Sequence, residues 1–213
     1  TYQAQFPGIE LRLVEGNSSQ LASDLLHGNV DLMIDLLPFT VENVETVPIC
    51  GEEILMVVPD ELLKKIYPNR LEEIKQILSS TADVTLLERC PFVLLKKGNR
   101  IRTISDEIFE DAQMSPRVVL ETENIETVLA LCAKGMGITF YPKMFMNPDQ
   151  SSRSYRNAML ENSHLNLYSL NYSRAHGVLG IGYHKGRYMS RATREFIRIA
   201  RERIPYPADR PAE

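Results

Sequence analysis

Two segments of this chain repeat one order of features: an apolar strand, a polar helix start, one helix, a glycine and a second strand. Shifting the sequence by 107 residues brings these residues into register: Leu13 with Leu120, Asn17 with Asn124, Gly28 with Gly135, Leu21 with Val128, and Leu25 with Cys132. Asparagine favours helix N-caps and glycine favours helix ends, so both helices have boundaries at matching places. The repeat predicts two similar lobes, each pointing a helix N-terminus at a shared space.

The rest of the chain continues to alternate between strand-like and helix-like segments. Strands are expected at residues 9–14, 30–34, 54–58, 92–95, 118–120, 138–141, 165–170 and 178–183, and helices are expected to begin near residues 17, 69, 101, 124 and 190. The polar stretch 147–157 is expected to be a loop. The first strand–helix–strand unit favours a parallel strand pair. Together the segments predict an α/β fold with mostly parallel sheets covered on both faces.

The charge balance argues against DNA binding by this chain on its own. Its 24 Lys and Arg residues against 28 Asp and Glu residues give a net charge of −4, whereas a DNA-binding domain is usually basic. The arginines near the C-terminus fit the solvated face and basic end of a helix: Arg194, Arg198, Arg201 and Arg203. No uninterrupted run of about 18 apolar residues occurs, so no membrane span is expected.

The cysteines and histidines indicate neither a metal site nor a cofactor. Cys50, Cys90 and Cys132 are odd in number, widely spaced and without a Cys-x-x-Cys pair, which disfavours a disulfide framework or a zinc site. Free thiols suit a cytoplasmic protein. Core packing is expected for Cys132 on its apolar helix face. A redox switch through Cys50 or Cys90 remains an alternative.

No set of residues typical of catalysis stands out. The four histidines lack metal-ligand spacing: His27, His164, His176 and His184. Neither a Gly-x-Ser-x-Gly elbow nor a phosphate-binding P-loop occurs, and Gly135-Met-Gly137 fits a helix end rather than a nucleotide loop. We therefore expect a binding protein rather than an enzyme.

Four stretches, in this order, resemble the effector-binding (co-inducer) domain of LysR-type transcriptional regulators: Phe6–Asn17, Leu26–Ile34, Glu123–Ile138 and Lys185–Ile197. The resemblance covers nearly the whole chain. It implies two Rossmann-like lobes joined by crossing strands, a type 2 periplasmic-binding-protein-like fold, with an effector cleft between them. Lobe I would comprise residues 1–51 plus 168–213, and lobe II residues 52–167. The crossings are expected near residues 36–53 and 162–171.

The chain departs from the family pattern at two places. The family has a further strand and helix before Phe6, whose helix normally supplies a hydroxyl to the effector site, and residues 62–88 are long for the family. The N-terminal winged helix-turn-helix of the family is also expected to lie outside this chain. DNA would be bound only through that missing domain.

Helix N-termini supply the candidate site, because their unpaired N–H groups and positive dipole ends attract anions. The candidate ligand-binding residues begin helices in the two lobes: Asn17, Ser18, Ser19, Lys97, Asn99, Thr122, Glu123 and Asn124. Simple helix capping is the alternative for each Ser, Thr or Asn, and solvation is the alternative for Lys97. Glu123 and Asp35 would repel a plain dicarboxylate and could hold an amine. The expected effector is therefore a small organic acid or an amino-acid-like molecule.

The leading hypothesis is a metabolite sensor for transcription, working in the cytoplasm. The alternative is a solute-binding protein of a transport system with the same two-lobe fold, and an enzyme on this scaffold is the third option. The resemblance also implies a homo-oligomer that pairs helix 19–27 of one subunit with helix 125–134 of another. Apolar residues beyond one buried stripe support that pairing: Ala22, Leu26, Leu129 and Ala133.

Overall fold

The computed structural model describes residues 2–39, 41–146 and 164–204. The chain forms two compact units: unit 1 comprises Thr1–Glu52 and Gly177–Glu213, and unit 2 comprises Glu53–His176. The second boundary follows His176 rather than residue 167, because residues 165–169 form a strand that pairs within unit 2. The expected loop at 147–157 lies outside the described residues.

Seven helices and seven strands make up the described part of the chain. The helices are α1 (Tyr2–Gln5), α2 (Ser18–His27), α3 (Asp60–Ile66), α4 (Leu71–Thr81), α5 (Arg100–Asp111), α6 (Ile125–Ala133) and α7 (Arg191–Arg203). The strands are β1 (Met33–Leu36), β2 (Val44–Pro59), β3 (Pro91–Leu95), β4 (Arg117–Thr122), β5 (Thr139–Pro142), β6 (Leu165–Ser169) and β7 (His176–His184). Short 3-10 turns occupy Val84–Leu87, Lys143–Met146 and Ser173–Ala175.

Unit 1 packs α2 and α7 against strands whose apolar residues face inward. Leu25 of α2 is buried with Met33 of β1 in one cluster, and Ile197 of α7 is buried with Ile49 and Ile181 in another. β1 pairs antiparallel with β7, and β7 lies beside β2. The apolar faces of α2 and α7 therefore pack into the core of their own unit.

Unit 2 is built around strands β2 and β3. Every side chain of β3 is buried, and β3 pairs in parallel with β4. The C-terminal half of β2 pairs antiparallel with both β5 and β6. The rings of Phe92, Phe109 and Phe140 pack edge-to-face at centroid distances of 5.0 and 5.7 Å. A Cβ on Gly137 would lie 2.9 Å from the Pro91 carbonyl oxygen, so only glycine lets this segment approach β3.

The structure corrects two details of the expected architecture while keeping the α/β class. Of the strand pairs with a described register, β1–β7, β2–β5 and β2–β6 are antiparallel, whereas β3–β4 is parallel and Phe92 forms a parallel bridge with Ile138. The expectation of mostly parallel strands is therefore wrong for these named pairs. Residues 9–14 form no strand: Leu11 and Leu13 are 52% and 86% exposed, and no described strand pairs with this segment. An extended segment needs a hydrogen-bonded neighbour to become a strand.

Candidate functional site

The first group of candidate residues begins α2 in unit 1. Asn17 is the N-cap, and its side-chain Oδ1 accepts a hydrogen bond of 2.9 Å from the backbone N–H of Gln20. Ser18 and Ser19 are the first two helical residues, so their backbone N–H groups have no partner within the helix. No acidic residue lies in the first turn of α2. This helix end therefore keeps a positive potential that suits an anion.

The second group lies in unit 2, at the carboxyl ends of two neighbouring parallel strands. Leu95 at the end of β3 is the register partner of Thr122 at the end of β4. The Lys96 backbone N–H donates to the Thr122 carbonyl oxygen at 2.9 Å, which holds the two following loops side by side. The carboxyl ends of strands in α/β sheets are the usual place for ligand sites.

Each of these loops begins a helix, and asparagine caps both helices. Asn99 Oδ1 accepts from the Ile101 N–H at 2.9 Å at the start of α5, and Asn124 Oδ1 accepts from the Thr127 N–H at 2.9 Å at the start of α6. Thr122 Oγ1 accepts from the Asn124 N–H at 3.3 Å. The side-chain oxygens of Asn99 and Asn124 are thus engaged as caps, as the capping alternative expected, and the Thr122 oxygen holds the N–H of the α6 N-cap residue. The groups left for a ligand are the hydroxyl hydrogen of Thr122, the amide nitrogens and the first backbone N–H groups.

The charges at this edge divide into paired and unpaired groups. Lys96 Nζ lies 3.3 Å from Glu123 Oε1, and both side chains are exposed. Within residues 41–146 and 164–204, Lys97 forms no ion pair and Arg100 Nε is buried without a hydrogen-bond partner. Lys97 and Arg100 are thus cations at this edge without an ion pair to any described residue. Asp35, the other acid considered, lies in unit 1 on β1, where its Oδ1 accepts from the Leu36 N–H at 2.8 Å.

Arg102 is the residue at this edge that the sequence did not indicate. Its side chain is 8% exposed. Nη1 donates to the Leu95 carbonyl oxygen at 2.8 Å and to the Glu121 carboxylate, and Nε donates to Asp106 Oδ1 at 2.7 Å. Burial opposes the charge, but the hydrogen bonds to Asp106 and Glu121 outweigh it and raise the pKa of Arg102. The Arg102/Asp106 spacing is that of an ordinary surface pair, so no signal of burial exists in the sequence.

Five of the eight candidate residues are thus neighbours along one edge of unit 2: Lys97, Asn99, Thr122, Glu123 and Asn124. The remaining three, Asn17, Ser18 and Ser19, lie together in unit 1. A separate depression of about 160 Å³ in unit 1 contains none of the eight and is lined in part by Gly28, His184 and Arg187.

The thiols show no feature of a reactive site. Burial raises the pKa of Cys90 to about 11, and burial also raises the pKa values of Cys50 and Cys132. All three are free cysteines. No metal-binding group of His, Cys, Asp or Glu, and no helix long and apolar enough to cross a membrane, occurs in the described residues.

Two known structures have a similar architecture. The regulatory domain of Synechocystis PCC6803 CcmR in complex with 2-PG superposes with a TM-score of 0.75 at 19% identity, covering 99% of this chain and 89% of that chain. The effector-binding domain of QuiR in complex with shikimate gives a TM-score of 0.70 at 18% identity, covering 95% and 86%. These two structures confirm the expected α/β fold.

Sequence comparison identifies the family. The HTH-type transcriptional regulator YcgK of Bacillus subtilis (strain 168) is 24% identical over 214 residues, which cover 98% of this chain. The chain spans 62% of the length of YcgK. The family model for the LysR substrate binding domain matches residues 1–205. The chain therefore belongs to the LysR substrate-binding domain family.

Proposed function

We propose that this chain binds a small charged metabolite, an organic acid or an amino-acid-like molecule, and thereby modulates transcription by a regulator of which it is the sensing part. The observation that carries the proposal is the convergence of the α5 and α6 N-termini beside Lys97 and Arg100. Two helix dipoles and two unpaired cations favour an anion at one edge. CcmR with 2-PG and QuiR with shikimate are precedents for small ligands on this fold.

The chemistry of the edge also allows an amine on the effector. Glu123 is exposed and its partner Lys96 is a flexible, exposed side chain, so this surface pair is weak and can exchange partners. An effector ammonium group could take the place of Lys96 beside Glu123 while its carboxylate meets Lys97. An amino-acid-like ligand would therefore pair its ammonium group with Glu123 and its carboxylate with Lys97.

The family resemblance adds Asn17, Ser18 and Ser19 of unit 1 to the same proposal. Their helix start has the same kind of N-cap as α6 and carries two hydroxyl groups. A hydroxyl that donates to a charged ligand in a water-excluded site contributes roughly 1.5–3 kcal/mol. Loss of one such hydroxyl should weaken binding about tenfold or more.

The test is a thermal-shift screen of organic acids and amino acids, followed by calorimetry with the best ligand. Ser18→Ala, Ser19→Ala and Thr122→Ala should each bind about tenfold more weakly. Ser79→Ala on α4 is the matched control, because its hydroxyl donates only to the Lys75 carbonyl oxygen. Parent-like affinity in all three variants would refute the assignment of the site.

The relatives favour a regulator over a transport receptor, because YcgK is an HTH-type transcriptional regulator. DNA binding in the whole protein is assigned to a helix-turn-helix domain outside this chain. The net charge of −4 fits that division. This chain alone is expected to show no sequence-dependent gel shift.

We also propose that the chain forms a homo-oligomer, but through residues other than those of helices 19–27 and 125–134. Ala22 and Leu129 are buried in their own units, so they are not spare apolar surface, whereas Leu26 and Ala133 are half-buried. Exposed apolar side chains occur instead in residues 9–14 and on β4, where Val119 is 45% exposed. In the described residues, β4 has a strand neighbour, β3, on one side, so its other edge could pair with a second copy.

A further inference from the structure

Arg102 ties together the three elements that carry the candidate edge of unit 2. It is the third residue of α5, and its guanidinium reaches the last carbonyl of β3 and the Glu121 carboxylate on β4. Glu121 is the register partner of Leu94, so the contact lies one residue before the loops begin. A single buried side chain therefore links the start of α5 to the ends of both strands.

The guanidinium is itself held in one orientation. Its Nε donates to Asp106 Oδ1, one turn further along α5, at 2.7 Å. Because one nitrogen of the planar guanidinium is held by Asp106, its other nitrogen keeps the Leu95 carbonyl oxygen and the Glu121 carboxylate at a defined separation. A lysine ammonium on its flexible side chain would not fix this separation. Another cross-link at this level is the bond of 2.9 Å between the Lys96 N–H and the Thr122 carbonyl oxygen.

We propose that Arg102 is a positioning residue of the effector site, which sets the spacing of the α5 and α6 N-termini without touching the effector. This role rests on the function proposed above. Loops 96–99 and 122–124 directly follow β3 and β4, which the Arg102 guanidinium links. Loss of this guanidinium would therefore let the two loops move apart. Ligand groups that must meet both helix starts at once would then lose one of their two partners.

A purely structural role predicts a different pattern. Removing Arg102 from its ion pairs would then lower only the global stability, and every part of unit 2 would respond alike. A positioning role predicts a local response confined to the two loops. The discriminating measurement is therefore site-resolved and does not depend on an identified effector.

The experiment is hydrogen–deuterium exchange with mass spectrometry on the unliganded 213-residue chain. Arg102→Lys should speed exchange about tenfold in peptides covering 96–101 and 122–127, because local opening there becomes easier, and leave β5 peptides unchanged. Glu121→Ala, which removes one partner at a 43% exposed position, should fold and show the same pattern in weaker form. Glu121→Gln keeps an acceptor oxygen and should exchange like the parent.

Ile74→Val on α4 is the control for lost stability, because Ile74 is buried and belongs to a different helix. It should leave exchange in both loops as in the parent. Unchanged loop exchange in Arg102→Lys and Glu121→Ala, or a uniform rise across unit 2, would overturn the positioning role. Because no effector is used, these outcomes are independent of the calorimetric test of the proposed function.

Discussion

Asn17 and Asn124 cap α2 and α6 with the same geometry: in each, the side-chain Oδ1 accepts a hydrogen bond of 2.9 Å from the backbone N–H three residues later. The two helices also end alike, since Gly28 and Gly135 have φ values of 81° and 74°. The repeat at 107 residues is therefore a repeat of local structure. Each unit therefore contains a helix start of the same form.

Replacing Asn124 by alanine should lower the free energy of unfolding by about 1 kcal/mol, because the Thr127 N–H loses its cap. Asn124→Asp retains an acceptor oxygen and adds a favourable charge at the helix start, so its stability should match or exceed that of the parent. Denaturant unfolding measures both. Equal stability of Asn124→Ala and the parent would show that the cap contributes nothing.

Gly28→Ala should also be destabilising by about 1–2 kcal/mol, because alanine is strained at a φ of 81°. The new Cβ would overlap Arg187 Nη1 and displace this guanidinium, which donates to the Leu26 carbonyl oxygen at the end of α2. Gly8→Ala is the control, since nothing lies within 4 Å of its Cβ position. Similar melting temperatures for the two variants would contradict this prediction.

Much of the secondary structure could be predicted because its signals are local. Asn17, Asn99 and Asn124 are caps and Gly28 ends a helix, as short-range rules expect. Strand partners are not local. β2 covers Val44–Pro59, whereas the apolar residues predicted a strand only at 54–58. Pro48 and Gly51 interrupt the apolar pattern before residue 54, but the partner strands still supply hydrogen bonds there.

Part of the candidate site could also be predicted from the sequence. The helix starts follow from capping residues, and their adjacency follows from the parallel pairing of β3 and β4. The role of Arg102 could not be foreseen, because its burial depends on Glu121 and the Leu95 carbonyl group meeting it across two other elements. The strand expected at 9–14 failed because an alternating pattern does not itself supply a hydrogen-bonded neighbour.

The thiols should be poor redox sensors. With its pKa raised to about 11, Cys90 is almost wholly protonated at neutral pH, and the thiolate is the reactive form. Peroxide treatment of the folded protein should form no intramolecular disulfide by mass spectrometry. Labelling with a thiol reagent should be slow and should begin at Cys50, the half-buried cysteine. Rapid disulfide formation under mild peroxide would restore the redox alternative.

Cys90 also makes a definite contribution to the pH dependence of stability. Its pKa in the folded protein, about 11, is above the ordinary value of 9.0, so folding favours the protonated thiol. That contribution is fully present below pH 9.0 and is lost as pH rises toward about 11. The parent should therefore lose more stability than Cys90→Ala over this range. Parallel pH profiles for the two proteins would contradict the assignment.

Self-association should depend on the exposed apolar side chains of residues 9–14 and β4. Sedimentation at tens of micromolar should show dimers or larger species for the parent, and monomer for Leu13→Glu and Val119→Glu, because a buried unpaired carboxylate is costly. Leu167→Glu is the control, at a strand position of similar exposure to Val119. A monomeric parent, or equal dissociation in all three variants, would count against this interface.

The most direct measurement is a crystal structure of the chain with the best ligand from the thermal-shift screen. The ligand should lie within about 3.5 Å of backbone N–H groups at the start of α5 or α6, with its anionic group beside Lys97 or Arg100. Ordered ligand in the unit 1 depression beside His184 and Arg187, with the ends of β3 and β4 empty, would contradict the assignment of the effector site.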